Sequence, residues 1–172
     1  EEVELFRGLG GREVLKRMKI PLWRLPQIAA HLRRKAAEGP RPPLVAGVAD
    51  ALDEAHGAGR RLAVVSSNAE TTIRATLGPT AALFDFILGG APLFGKASLL
   101  RRALRRAGVA ASDAVYIGDE TRDAEAAREA GLAFGAVSWG YAARGALDAT
   151  TPRHVFETPA DIAALARVPS AH

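Results

Sequence analysis

Two hydrophobic periodicities alternate along this chain. From Leu44 onward, short continuous apolar runs are separated by stretches in which apolar residues recur every three or four positions. "RLAVVSS", "FDFILGG", "DAVYIG" and "LAFGAVSWG" read as short buried strands. "LVAGVADALDEAHGAGR", "NAETTIRATLG", "ASLLRRALRRAGV" and "DAEAAREAG" read as helices, each followed by a glycine stop. The tail adds a short strand at "HVFE" and a final helix at "PADIAALARV". Strands that are apolar throughout and alternate with helices predict a parallel sheet covered on both faces. The expected fold class is therefore α/β, a doubly wound Rossmann-like sheet, with ligand sites at the carboxyl ends of its strands.

The first part of the chain does not share that alternation. Glu1 to about Glu38 is helical and arginine-rich, with "REVLKRM" and "LPQIAAHLRRKAAE" interrupted by Pro21 and Pro26. "GPRPP", residues 39–43, reads as a linker. Two parts are thus predicted: a small N-terminal helical piece over 1–40 and an α/β core over 41–172. Glu1 stands inside a helical pattern without a Met, so the chain is expected to be a piece of a longer protein.

Composition narrows the partners. Hydrophobic residues make up 48% and charged residues 24% of the 172, values ordinary for one globular domain. No apolar run reaches the length of a membrane span, and the acidic start has no signal-peptide core. Cysteine is absent, which excludes disulfides and thiolate metal sites and leaves the cytoplasm as the default compartment. The net charge of +4 comes mostly from arginines interleaved with acids, without a basic-aromatic stripe. That pattern predicts no nucleic-acid partner; it suits a solvated basic face or a site for a small anion.

The polar residues that follow the apolar runs carry the chemistry. Ser66, Ser67 and Asn68 follow "LAVV" and precede a helix, where a hydroxyl and free N–H groups bind anions and where the same residue types also cap helices. Lys96, in "LFGKASLL", is the one lysine after the linker; an ammonium there acts as a point charge toward phosphate or carboxylate. After "VYIG", with Gly118 expected to turn the chain off its strand, come Asp119, Glu120 and Asp123. Acids so grouped fit either a capped helix start or a Mg²⁺ site of hard oxygen ligands. Three acids converging on one strand end would repel without a cation between them, which favours the metal. No G-x-G-x-x-G and no G-x-x-x-x-G-K-[ST] is present, so dinucleotide binding and P-loop hydrolysis are disfavoured.

"LAVVSSN", "FGK" and "YIGDETRDAEAAREAG", in this order and spacing over Val45 to Tyr141, resemble the second, third and fourth motifs of the haloacid dehalogenase-like hydrolase superfamily. The phosphoglycolate-phosphatase-like branch is the most similar, and "AVSWGY" after the last core strand is also typical. The resemblance implies a Mg²⁺-dependent phosphatase acting through an aspartyl-phosphate intermediate on a small phosphorylated metabolite, as a monomer or homodimer. It implies that Ser66, with Ser67 and Asn68, binds the phosphoryl oxygens and that Lys96 neutralises the phosphorylated nucleophile. Asp119 would bind Mg²⁺, Asp123 would support the metal or the lysine, and Glu120, in place of a common Ser, would orient a metal-bound water. The helical piece would be a cap closing over the site, with Arg12, Lys16, Arg17 and Lys19 as candidates to meet a substrate carboxylate.

One motif of the family is absent. Its first, DxDGT on the central strand, supplies the nucleophile, and no such run occurs here. The expectation is a core lacking its first strand, in a chain that holds the supporting half of an active site. The competing readings are a 2-haloacid dehalogenase, which needs no metal, and a non-catalytic binding protein on the hydrolase fold. A phosphorelay receiver is disfavoured, because its acids follow the first strand and it has no cap.

Overall fold

The computed structural model describes residues 43–90 and 95–168, together with scattered positions between 17 and 34. The helical piece assigned to 1–40 therefore lies largely outside the described residues, as do Arg12, Lys16 and Lys19; Arg17 is a helical, exposed position. A short 3-10 turn at Leu22–Arg24 is described there.

In the core every strand and helix expected from the pattern is present. They run α1 (Val48–Gly57), β1 (Ala63–Val65), α2 (Glu70–Leu77), β2 (Phe86–Leu88), α3 (Lys96–Ala107), β3 (Val115–Gly118), α4 (Thr121–Ala130), β4 (Ala133–Val137), α5 (Arg144–Asp148), β5 (His154–Phe156) and α6 (Pro159–Arg167). The short α5 was not foreseen, because "RGALD" offers a single apolar anchor, Leu147, which is buried at 1% exposure. Glycines close α3 and α4: Gly108 and Gly131 adopt the left-handed conformation that ends a helix at little steric cost.

Among the described residues the strand pairings are all parallel, as predicted, but they fall into two separate sheets. β1 pairs with β2, with Val64 opposite Ile87, and β3–β4–β5 form the other, with Ile117 opposite Gly135 and Ala136 opposite Val155. Burial follows this division. β2 is buried throughout and β4 nearly so, whereas β1 and β3 are only half-buried. Like β2 and β5, each of these two has a ladder partner on one side only among the described residues. The Tyr116 hydroxyl on β3 lies 3.3 Å from the Val65 carbonyl on β1, so the open edges of the two sheets stand near each other.

Alanine-rich helix faces let the helices approach closely. Ala124 and Ala127 of α4 pack with Phe134 and Ala136 of β4 and Leu147 of α5. Ala97 and Leu100 of α3 meet Ala126, while its arginines point outward, Arg106 stacking 4.7 Å over the Phe86 ring. On the other side α1 packs with α6, joined by Glu54–Arg167. Arg60 Nε donates to the Ala166 carbonyl at 2.7 Å, satisfying a group that the end of α6 leaves without a helical partner. No helix among the described residues is long and apolar enough to cross a membrane.

Candidate active site

The corner between β3 and α4 is built by burial. Ala124 and Ala127 draw α4 onto the sheet, and Asp123, one turn before Ala127 on the same face, is carried inward to 3% exposure. A carboxylate so placed requires compensation. Lys96, the first residue of α3, supplies it: Nζ donates to Asp123 Oδ1 in a short contact, with the two side chains only 13% and 5% exposed. Asp123 Oδ2 accepts from the Glu120 backbone N–H at 3.3 Å, so the same carboxylate also caps α4. Of the two readings set out above, a capped helix start and a Mg²⁺ site, the cap is what Asp123 makes here, and its charge is met by Lys96.

Two neighbours complete this corner. Tyr116 Oη lies 3.5 Å from Asp123 Oδ1, and burial, followed by the Asp123 charge, pushes its hydroxyl well above the ordinary tyrosine range. It therefore remains a neutral proton donor shared between Asp123 and Val65. Gly118 has a different role from the turn expected of it. Its φ is not left-handed, and a Cβ there would stand 2.6 Å from Asp123 Oδ2. Glycine is needed because the folded-back carboxylate occupies the space of a side chain.

Asp119 points elsewhere. Its Oδ2 accepts from the Tyr141 N–H at 2.9 Å, and its carbonyl accepts from the Ala142 N–H at 3.0 Å. Glu120 is turned toward Arg122, whose Nη2 donates to Oε1 at 2.6 Å. Arg122 Nε also makes a 2.6 Å ion contact with Oε2, too bent to satisfy that N–H. Burial alone would weaken the Arg122 guanidinium as a cation, but Glu120, Asp123 and Asp119 outweigh it and hold its pKa above the usual value.

The three acids thus do not converge. Among the described residues no group of three or more His, Asp or Glu could hold a metal. The repulsion inferred from sequence is relieved by protein cations, Lys96 for Asp123 and Arg122 for Glu120, and that part of the argument for a metal falls away. What remains is narrower. Asp119 Oδ1 has no partner among the described residues, and one or two carboxylate oxygens are what Mg²⁺ takes from a protein before substrate and water complete its shell. The donor chemistry fits Mg²⁺ on Asp119, with Asp123 engaged by the lysine.

The corner after β1 differs in construction. The Ser66 N–H pairs with Leu88 O at 3.0 Å, extending the ladder, and Ser66 Oγ accepts from the Asn68 N–H at 3.2 Å. Asn68 O accepts from Gly90 N at 2.7 Å, and a Cβ on Gly89 would meet Glu70 N at 2.5 Å, so the ends of β1 and β2 are tightly apposed. Ala69 is the N-cap of α2 and no side chain caps it. Ser66 and Asn68 are therefore not caps, and the Ser66 hydroxyl proton has no acceptor among the described residues. Ser67 is half-buried beside it, while Asn68 is exposed. Elsewhere, a cavity of about 490 Å³ between α4 and the segment 149–153 contains none of these residues.

Comparison with protein families matches residues 1–137 to "Haloacid dehalogenase-like hydrolase". The chain belongs to this family. It is 33% identical over 160 residues to the phosphoglycolate phosphatase of Synechococcus elongatus, covering 91% of this chain and 76% of the relative. Among solved structures it is similar to a haloacid dehalogenase-like family hydrolase from Streptococcus pneumoniae, at 25% identity and a TM-score of 0.65. That match covers 72% of this chain and 60% of the other, so the chain spans about three-fifths of that structure's length. CbbY from Rhodobacter sphaeroides, solved in complex with xylulose-(1,5)bisphosphate, is also 25% identical, with a TM-score of 0.62 over 94% of this chain and 78% of its own.

Family membership and the parallel α/β fold agree with the motif reading. Three features escaped it. Tyr116 reads as one more strand residue, because nothing local shows that its hydroxyl reaches two other elements. Arg122 reads as helix surface, because its partner is set by the turn geometry. The contact of Gly140 and Tyr141 with Asp119 spans about twenty residues; the one available signal was the Gly-Tyr pair after an apolar run.

Proposed function

We propose that this protein is a Mg²⁺-dependent phosphatase that hydrolyses a small phosphate monoester through an aspartyl-phosphate intermediate. The observation that carries the reading is the buried Lys96–Asp123 pair set beside Asp119, with the Ser66 corner facing it across the open edge of the sheet. An ammonium has three protons, and Asp123 engages one of them. The others suit the oxygens of a phosphoryl group, whose transfer depends on positioned positive charge. Asp123 fixes the direction of the ammonium, and burial removes the water that would screen it. Ser66, with its hydroxyl proton unclaimed among the described residues, donates to a second phosphoryl oxygen, and the α2 N-terminus beyond Ser67 and Asn68 adds partial positive charge. Asp119 would hold Mg²⁺, which when bound supplies further neutralisation of the phosphoryl charge.

The nucleophile in this reading is an aspartate on a strand outside the 172 residues, seated between β1 and β3. The open facing edges and the half-burial of those two strands support that placement. The core is then 41–172, and the helical piece at 1–40 is a partial cap that excludes water and selects substrate. Phosphoglycolate is the first substrate to try, on the strength of the Synechococcus relative.

The test uses the full-length protein with p-nitrophenyl phosphate, 2-phosphoglycolate and a sugar bisphosphate, each with Mg²⁺ and with EDTA. Phosphate release that EDTA abolishes is expected. Release of chloride from 2-chloropropionate in EDTA would replace the reading with a dehalogenase, and inactivity toward every substrate would replace it with a binding protein.

A further inference from the structure

The geometry points to Gly140 and Tyr141, through their backbone, as positioning residues for the Asp119 carboxylate. This deepens the proposed function and rests on its reading of Asp119 as the magnesium carboxylate.

Asp119 leaves β3 with no fixed orientation of its own, since it lies outside both the strand ladder and helix α4. The loop after β4 confines it. A Cβ on Gly140 would stand 2.0 Å from the Asp119 Cβ and 2.7 Å from Oδ2, well inside contact distance, so only glycine allows the loop to lie against this side chain. The Tyr141 N–H then donates to Oδ2 at 2.9 Å and the Ala142 N–H to the Asp119 carbonyl at 3.0 Å. One carboxylate oxygen is held by an amide, and the close approach of the loop at Gly140 leaves the Asp119 side chain no room for a neighbouring Cβ.

A strap of this kind works only if it is itself fixed, and both its ends are. Ser138 N–H pairs with Phe156 O at 3.0 Å, extending the ladder from β4 to β5. Ala142 is buried at 5% exposure, and Arg144 pairs with Asp148 at 2.9 Å and with Glu157. Glu157 also accepts from Ser138, and that bond with the Arg144 charge holds its carboxyl below the usual range. The loop is thus tied to β5 at one end and to α5 at the other. The donor to Asp119 is the amide of Tyr141, whose side chain is half-exposed.

The expected consequence concerns metal affinity more than folding. Losing a group that orients a metal ligand typically weakens binding by about 10–100-fold. In the full-length protein, Gly140→Ala should raise the Mg²⁺ dissociation constant by about tenfold or more in calorimetric titration with Mg²⁺ alone. Tyr141→Phe, which keeps the amide, should leave it unchanged. A crystal structure of Gly140→Ala should place the Asp119 carboxylate away from the Tyr141 amide. An Asp119 left in place, or an unaltered Mg²⁺ affinity beside a wild type that binds, overturns the inference. If Gly140→Ala does not fold, Glu157→Gln serves instead: a few-fold weaker Mg²⁺ binding upholds the strap and an unchanged affinity overturns it. Absence of Mg²⁺ binding by the wild type would overturn the proposed function alone, because the crystal structure still decides whether the loop sets Asp119.

Discussion

The corners after β3 and after β1 stand on the two sides of one gap, and they are built in opposite ways. At β3 every acid already has a protein partner: Lys96 for Asp123, Arg122 for Glu120, Tyr141 for Asp119. At β1 the polar groups bond, among the described residues, to their own loop and to the end of β2, and the Ser66 hydroxyl has no acceptor among them. The β3 corner is rigid because burying charge demands pairing. The β1 corner can stay open because a serine and the amides of a helix start carry no such penalty. A phosphatase needs both, a fixed array of charge and a set of donors with nothing else bound to them. Substitutions at the buried Lys96–Asp123 pair, or at the Gly118 that makes room for it, should therefore affect stability and activity together, and those at Ser66 in the second corner activity almost alone.

The largest effect is expected at Lys96. Lys96→Met leaves Asp123 buried without its cation and should cost about 3–5 kcal/mol of stability, besides abolishing phosphatase activity. Urea denaturation followed by circular dichroism measures this, and a change under about 1 kcal/mol would mean that the pair is not buried in solution. Gly118→Ala comes next. Its methyl would displace the Asp123 carboxylate, with a cost of about 1–3 kcal/mol from overpacking and a parallel loss of activity.

Asp119→Asn separates the two quantities. An asparagine oxygen still accepts from the Tyr141 amide, so thermal denaturation without metal should match the wild type, while Mg²⁺-dependent turnover falls by about 10³-fold. A melting temperature lowered as far as that of Lys96→Met would erase the contrast drawn between these acids. Ser66→Ala is the test of the open corner: turnover should fall by about 10²-fold with stability altered by no more than about 1 kcal/mol. The smallest effect is a pH dependence. The carboxyl of Glu157 is held below its ordinary value of 4.5 by Ser138 and Arg144, so its contribution is fully present above that pH and is lost as pH falls below it. Urea midpoints measured from pH 6 to pH 3 should fall slightly less for Glu157→Gln than for the wild type, and superimposable curves would remove the loop anchor.

Much of this molecule could be read along the chain. The apolar runs at Ala63–Val65 and Val115–Gly118 and the glycine stops at Gly108 and Gly131 mark elements whose causes lie within a few residues. The residues that follow strands could be named for the same reason, Ser66 and Asp119 being the first polar groups after an apolar run. Their partners could not. Asp119, Glu120 and Asp123 look like one cluster in sequence, yet three separate contacts, to a loop, to a helix neighbour and to a lysine 27 residues away, pull them apart.

The sequence by itself determined the parallel α/β alternation, the family and the set of chemically capable side chains, because strand and helix periodicity and turn chemistry are local. Only the tertiary structure decided which acid the lysine takes, why residue 118 must be glycine, and where the sheet divides between β1 and β3. Those outcomes depend on burial and on the space between elements distant in sequence, where a desolvated charge must find whichever partner the packing brings to it.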